Sequence, residues 1–84
     1  MLVSPMSGNP EWRCTPVENP RIFTEHLKML AEREKLIFAD VFRTWNFVIE
    51  RKEFFSLIGN GANHPNDFGH SLYARTILAA LHRP

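Results

Sequence analysis

The chain has 84 residues and a mass of 9.8 kDa, which allows one small domain at most. Hydrophobic residues make up 44% of it and charged residues 23%, which excludes a wholly disordered or collagen-like chain, and one cysteine excludes an intrachain disulfide. Ten Lys and Arg against nine Asp and Glu leave a net charge of +1, so no nucleic-acid partner is predicted.

The N-terminal residues 1–6 are mostly apolar and are followed by Ser7-Gly8-Asn9-Pro10. This pattern predicts a short buried strand that runs into an irregular loop over 7–20, with Trp12 as the anchor of the loop. The first residues lack the basic region and the long apolar core of a signal peptide, and no apolar run approaches the ~18 residues of a membrane span. We therefore predict a soluble chain, and no compartment is indicated.

A helix of about 15 residues is predicted next, with Asn19 as its N-cap and Pro20 at its first position. Its apolar residues recur at helical spacing, which predicts that one stripe packs on a core; they are Phe23, Leu27, Leu30 and Ala31.

The run Leu36-Ile37-Phe38-Ala39 is continuously apolar, which is typical of a strand covered on both faces in a parallel sheet. Asp40 closes this strand, and Val41, Trp45, Val48 and Ile49 predict a second helix over 41–52. After a loop over 53–66, a last helix is predicted from Asn66 or Asp67 to about His82.

Strands that alternate with helices indicate an α/β fold with parallel strands. Two strands make a poor sheet alone, since sheets usually have about four to six. The sequence therefore predicts part of a larger sheet, or a small chain that completes its sheet with a partner: a second copy or another chain. A compact monomer, in which the 7–20 loop covers the strand edge, is the alternative.

His64 is the residue that most strongly suggests chemistry. It precedes Pro65-Asn66-Asp67, the predicted start of the last helix, so it is fixed in place while it stays open to solvent. A general base needs both properties, and an imidazole changes protonation near neutral pH. A histidine that merely caps or packs at this turn is the alternative. His64, Asp67 and His70 carry ligand atoms, but a fourth ligand is not evident, so no metal site is predicted.

The block His64-Pro65-Asn66-Asp67-Phe68-Gly69-His70 and the apolar helix after it resemble the last sequence block of the SGNH (GDSL-type) serine hydrolases. Residues 2–10 and 36–45 are similar to the late strands of that family. The resemblance implies a C-terminal βαβα portion of a flavodoxin-like, three-layer parallel fold that occupies residues 1–84 as one partial domain. It also implies that His64 is the general base of an ester hydrolase, without cofactor.

Two positions depart from the family pattern. The aspartate that usually orients the histidine lies three positions before it, and here that position is Gly61. Asn60 and Asp67 are the remaining candidates to orient His64, although Asp67 can equally serve as a helix cap. The family's Gly-Asp-Ser nucleophile block is absent from the sequence, and Ser7 is a turn residue by its context.

The resemblance implies the C-terminal portion of an ester hydrolase that contributes the histidine, with an acylated carbohydrate or lipid as substrate of the whole enzyme. The alternative is a non-catalytic fragment or interaction module that folds by oligomerisation.

Overall fold

The computed structural model describes residues 1–8, 18–52, 54–59 and 64–82. Over these residues the elements are β1 (Leu2–Val3), α1 (Glu18–Glu34), β2 (Phe38–Ala39), α2 (Val41–Ile49), a 3₁₀ helix (Phe54–Leu57) and α3 (Asp67–Leu81). The two strands are parallel, with Leu2 opposite Phe38 and Val3 opposite Ala39. The predicted α/β class with parallel strands is therefore confirmed.

Both strands are shorter than predicted. The apolar runs 1–6 and 36–39 contain only two paired residues each, and Leu36 and Ile37 are 44% and 47% exposed. An apolar run is buried only where a neighbouring strand and helices cover it, and the strand pairing here begins at Phe38. The prediction of burial on both faces is thus wrong for the first half of the 36–39 run.

Helix α1 begins before the predicted cap. Glu18 is its first residue, so Asn19 lies inside the first turn and is not the N-cap, and Pro20 is third instead of first. The first-turn amides have no acceptor within the helix, and a proline is therefore tolerated there.

The stripe of α1 that faces the core also differs from the predicted one. Thr24 and Ala31 are buried and Leu27 is half-buried, whereas Phe23 is 55% exposed. Thr24 can be buried because its hydroxyl donates to the Pro20 carbonyl at 2.7 Å, which leaves no unsatisfied donor.

The C-terminus of α1 is a Schellman-type cap. Lys35 has a left-handed backbone, with a φ of 56°, and the Leu36 amide donates to the Ala31 carbonyl at 2.8 Å. This turn redirects the chain from α1 into β2.

The core lies between α2, the 3₁₀ helix and α3. Its fully or nearly buried members are Val41, Trp45, Leu57 and Ile58. Half-buried apolar residues from β1 and α3 pack around them, including Val3, Leu72 and Tyr73. Helix α2 supplies its predicted apolar face, but it ends at Ile49 and not at residue 52.

The predicted loops are partly structured. The 53–66 segment contains the 3₁₀ helix and an isolated antiparallel bridge between Ile58 and Pro65. Trp12, the predicted loop anchor, lies outside the described residues, as does most of the 7–20 loop. No helix within the described ranges is long and apolar enough to cross a membrane.

Candidate active site

His64 lies in an exposed position on a backbone that is held from both sides. The Gly59 amide donates to the His64 carbonyl, and the Asn66 amide donates to the Leu57 carbonyl, both at 2.8 Å. Pro65, between them, forms the antiparallel bridge with Ile58. Three consecutive residues are therefore fixed against the end of the 3₁₀ helix, while the His64 side chain stays accessible.

Asn66 is the cap that joins this segment to α3. Its Oδ1 accepts from the Gly69 amide at 2.8 Å, and its Nδ2 donates to the Ser56 carbonyl at 2.7 Å. The sequence predicted Asn66 or Asp67 as the cap, and the structure selects Asn66. One side chain thus ties the helix start to the 3₁₀ helix.

Gly69 allows α3 to approach its neighbours closely. A Cβ atom at this position would lie 2.6 Å from the Leu57 carbonyl oxygen, 2.9 Å from Pro65 Cβ and 3.0 Å from Trp45 Cη2. Any larger residue would push the first turn of α3 away from the core. The sequence contained this glycine within the resemblance block, but its spacing alone gave no sign of the contact.

The structure describes only one of the two candidates to orient His64. Asp67 is an exposed residue of the first turn of α3, and its carboxylate makes no hydrogen bond or ion pair within the described part of the chain. A carboxylate there is favoured by the positive end of the helix dipole. Asn60 lies outside the described residues.

The carboxyl ends of β1 and β2 are joined by Ser4 and Asp40. The buried Ser4 hydroxyl donates to Asp40 Oδ1 at 3.1 Å and accepts from the Phe42 amide at 2.9 Å. Asp40 Oδ1 also accepts from the Arg43 amide at 3.0 Å and so caps α2. Sequence reasoning placed Asp40 at the end of the strand but missed this pair.

Ser7 is a buried structural residue. It is 6% exposed, and its hydroxyl donates to Asn46 Oδ1 on α2. The hydroxyl therefore ties the N-terminal segment to α2.

Tyr73 ties the N-terminal segment to α3. Its hydroxyl oxygen accepts from the Met6 amide at 2.9 Å, and its ring packs edge-on against Trp45 with a centroid distance of 5.8 Å. Burial raises the pKa of the Tyr73 phenol above its ordinary value, and the hydrogen bond from Met6 offsets part of that effect. Among the described residues, no three His, Cys, Asp or Glu side chains are grouped as a metal site would require.

No protein-family model matches the chain, and no curated protein matches it. Among solved structures, it matches the crystal structure of a catalytic mutant of Axe2, an acetylxylan esterase from Geobacillus stearothermophilus. The TM-score is 0.77 at 21% sequence identity, and the match covers 99% of this chain but 37% of the Axe2 chain.

The chain has the fold of part of an SGNH-type esterase. This confirms the resemblance at the level of the fold. The chain spans about 37% of the length of the Axe2 chain that it matches.

Proposed function

We propose that this chain contributes the general base, His64, to a serine ester hydrolase whose nucleophile and oxyanion donors come from the rest of an SGNH-type domain. One observation supports the proposal above all others: His64 is exposed on a backbone fixed by Gly59, Ile58 and the Asn66 cap, in a chain with this fold. A general base must hold its position while it stays accessible to the substrate.

In the proposed reaction a serine hydroxyl attacks the ester carbonyl, and the imidazole of His64 takes the hydroxyl proton. The same imidazole returns that proton to the departing alcohol. Water then attacks the acyl-serine with His64 again as base, which releases the carboxylic acid. The similarity to an acetylxylan esterase favours an acylated carbohydrate over a lipid as substrate.

Asp67 is the proposed orienting residue within the described part of the chain. It lies three positions after His64, on the first turn of α3, and its side chain is exposed. Such contacts are often long or poorly aligned before substrate binds. Asn60 is the other proposed candidate.

The test uses the chain in its natural setting, expressed with the flanking reading frame or with any partner chain that carries a serine block. His64→Ala should lower kcat for acetate release from an acetylated xylo-oligosaccharide by ~10³-fold or more, because base and nucleophile act as a unit. His70→Ala is the matched control, since His70 is also exposed and lies six residues after His64, in the first turn of α3. A His64→Ala assembly with unchanged kcat/KM would refute the catalytic assignment.

A non-catalytic interaction module is the second candidate. It is favoured by the edge of β1, which no other strand pairs in the described part of the chain, and by exposed apolar residues such as Phe23 and Met29, which are 55% and 67% exposed. A serine-reactive fluorophosphonate probe separates the two functions. The module predicts that no serine in the natural assembly is labelled.

A further inference from the structure

An open groove lies along α3 from its middle to its C-terminal end, whereas His64 precedes the N-terminal end of the helix. It has a volume of about 560 Å³ and is formed by residues of α1, β2, α2 and α3. On α3 the groove is lined by residues from Leu72 onward. Leu72 lies roughly 7.5 Å along the helix axis from Asp67, at a rise of 1.5 Å per residue. The groove is therefore separate from the candidate active site, and its volume is within the ~300–1,000 Å³ of small-molecule sites.

Three cationic side chains from three different helices line this groove: Lys28, Arg43 and Arg75. None of them forms an ion pair in the described part of the chain, where the ion pairs involve Arg21, Arg33 and Arg51. Like charges that face one space raise its positive potential, so an anion placed there is stabilised.

One acidic residue, Asp40, also lines the groove. Its Oδ1 already accepts hydrogen bonds from the Ser4 hydroxyl and the Arg43 amide. Its charge offsets one of the three cations, and the groove keeps a net positive charge.

The groove also has apolar walls. Phe38 and Leu72 are half-buried, and Phe47 is 57% exposed even though the Arg51 guanidinium lies 3.7 Å from the centre of its ring. A simple inorganic anion would leave these apolar surfaces in contact with water. An anion with a hydrocarbon body would cover them and gain the hydrophobic contribution as well.

We propose that this groove binds a small amphipathic carboxylate, with the carboxylate among Lys28, Arg43 and Arg75 and the hydrocarbon chain against Phe38, Phe47 and Leu72. The proposal is independent of the esterase function, because neither His64 nor Asp67 lines the groove.

The test titrates the chain with octanoate and follows the backbone amide signals by NMR. Saturable shifts confined to the groove are expected, with binding at least tenfold tighter than that of butanoate or of 1-octanol. Butanoate keeps the charge but shortens the apolar body, and 1-octanol keeps the body but removes the charge.

Two variants with the same change in net charge locate the site. Arg43→Gln combined with Arg75→Gln should weaken octanoate binding at least tenfold, whereas Arg33→Gln combined with Lys52→Gln should change it less than twofold. All four side chains are exposed, so both variants should keep the fold.

Several results would overturn the proposal. Equal weakening in both variants would mean that octanoate responds only to overall charge, and equal binding of 1-octanol would mean that the cations play no part. Absence of saturable binding in a chain whose amide spectrum is that of a folded protein would mean that another surface, such as a second copy, fills the groove.

Discussion

Gly69 links the packing of the core to the position of His64. Its missing Cβ lets α3 lie directly on the Leu57 carbonyl and on Pro65, the residue next to His64. The absence of a side chain at Gly69 therefore helps to fix the position of His64, as the cap at Asn66 does.

Gly69→Ala should destabilise the fold by about 1–3 kcal/mol, as expected for overpacking against backbone that cannot move cheaply. Gly59→Ala is the control, because a Cβ there would have ordinary contacts at 3.4 Å or more. Urea unfolding followed by tryptophan fluorescence measures both. Equal stabilities of the two variants would contradict the close approach at Gly69.

Tyr73 should make the stability depend on alkaline pH. The phenol in the unfolded chain ionises at its ordinary pKa of about 10, whereas burial raises the pKa in the folded chain. The contribution of the buried phenol to the free energy of unfolding is fully present below pH ~10 and is lost as the pH rises through the folded-state pKa. Tyr73→Phe should remove this part of the alkaline decline and should cost about 0.5–1.5 kcal/mol at neutral pH, because the Met6 amide loses its acceptor.

Tyr73 is the only tyrosine in the chain, so phenolate absorbance reports on it alone. Titration of the folded chain and of the chain in urea gives the two pKa values directly. A folded-state value at or below the unfolded one would show that the ring is not buried as described.

At the scale of the elements, the end of α1 offers a clear test. Lys35 has a left-handed backbone with a φ of 56°. In this conformation a residue with a side chain is about 1–2 kcal/mol less favourable than glycine. The greater flexibility of glycine in the unfolded chain offsets part of that difference. Lys35→Gly should therefore stabilise the chain by roughly 0.5–1 kcal/mol. Glu34→Gly, one residue earlier and inside the helix, should destabilise it by about 1 kcal/mol. Thermal unfolding of both variants measures the difference, and a loss of stability in Lys35→Gly would contradict the cap.

The elements also show how far sequence reasoning extends. Helical periodicity predicted α2 and α3 because Trp45, Leu72 and Tyr73 pack on a core within this chain. Helical periodicity wrongly predicted Phe23 in the core, because Thr24 faces the core instead. The Thr24 hydroxyl bonds to a carbonyl of its own helix, so this residue can be buried although a sequence pattern counts it as polar. Leu36 and Ile37 were predicted buried because a pattern records hydrophobicity and not the presence of a neighbour.

Sequence reasoning likewise predicts one part of the candidate site and misses another. His64 and the Asn66 cap follow from local sequence, since a cap acts within three residues of its position. The contacts of Gly69 with Trp45, and of Ser4 with Asp40, join distant parts of the chain, and nothing in their local sequence predicts them.

At the scale of the whole molecule, β1 has an edge that no other strand pairs among residues 1–8, 18–52, 54–59 and 64–82. The amides of Leu2 and Ser4 donate to Ile37 and Ala39, so the alternating amide of Val3 points away from β2. A strand edge without a neighbour is a template for pairing with another strand. We predict that the chain associates, either with a second copy or with a partner that completes the sheet.

Val3→Pro should weaken this association at least tenfold, because it removes the outward amide and leaves both bonds to β2 in place. Val3→Ala controls for the lost side-chain packing, and Leu2→Pro should instead disrupt the bond to Ile37. Sedimentation equilibrium over a hundredfold range of concentration measures the effect. A single 9.8 kDa species throughout, for the unmodified chain, would contradict association with a second copy.

The bond between Met6 and Tyr73 also bears on the order of events during synthesis. It joins residues 67 positions apart, and the pairing of Ser4 with Asp40 spans 36. Met6 is therefore translated well before Tyr73, and the bond between them can form only when α3 has been translated. The packing of the segment around β1 is therefore completed only after α3 has emerged, and until then its apolar residues are accessible to chaperones.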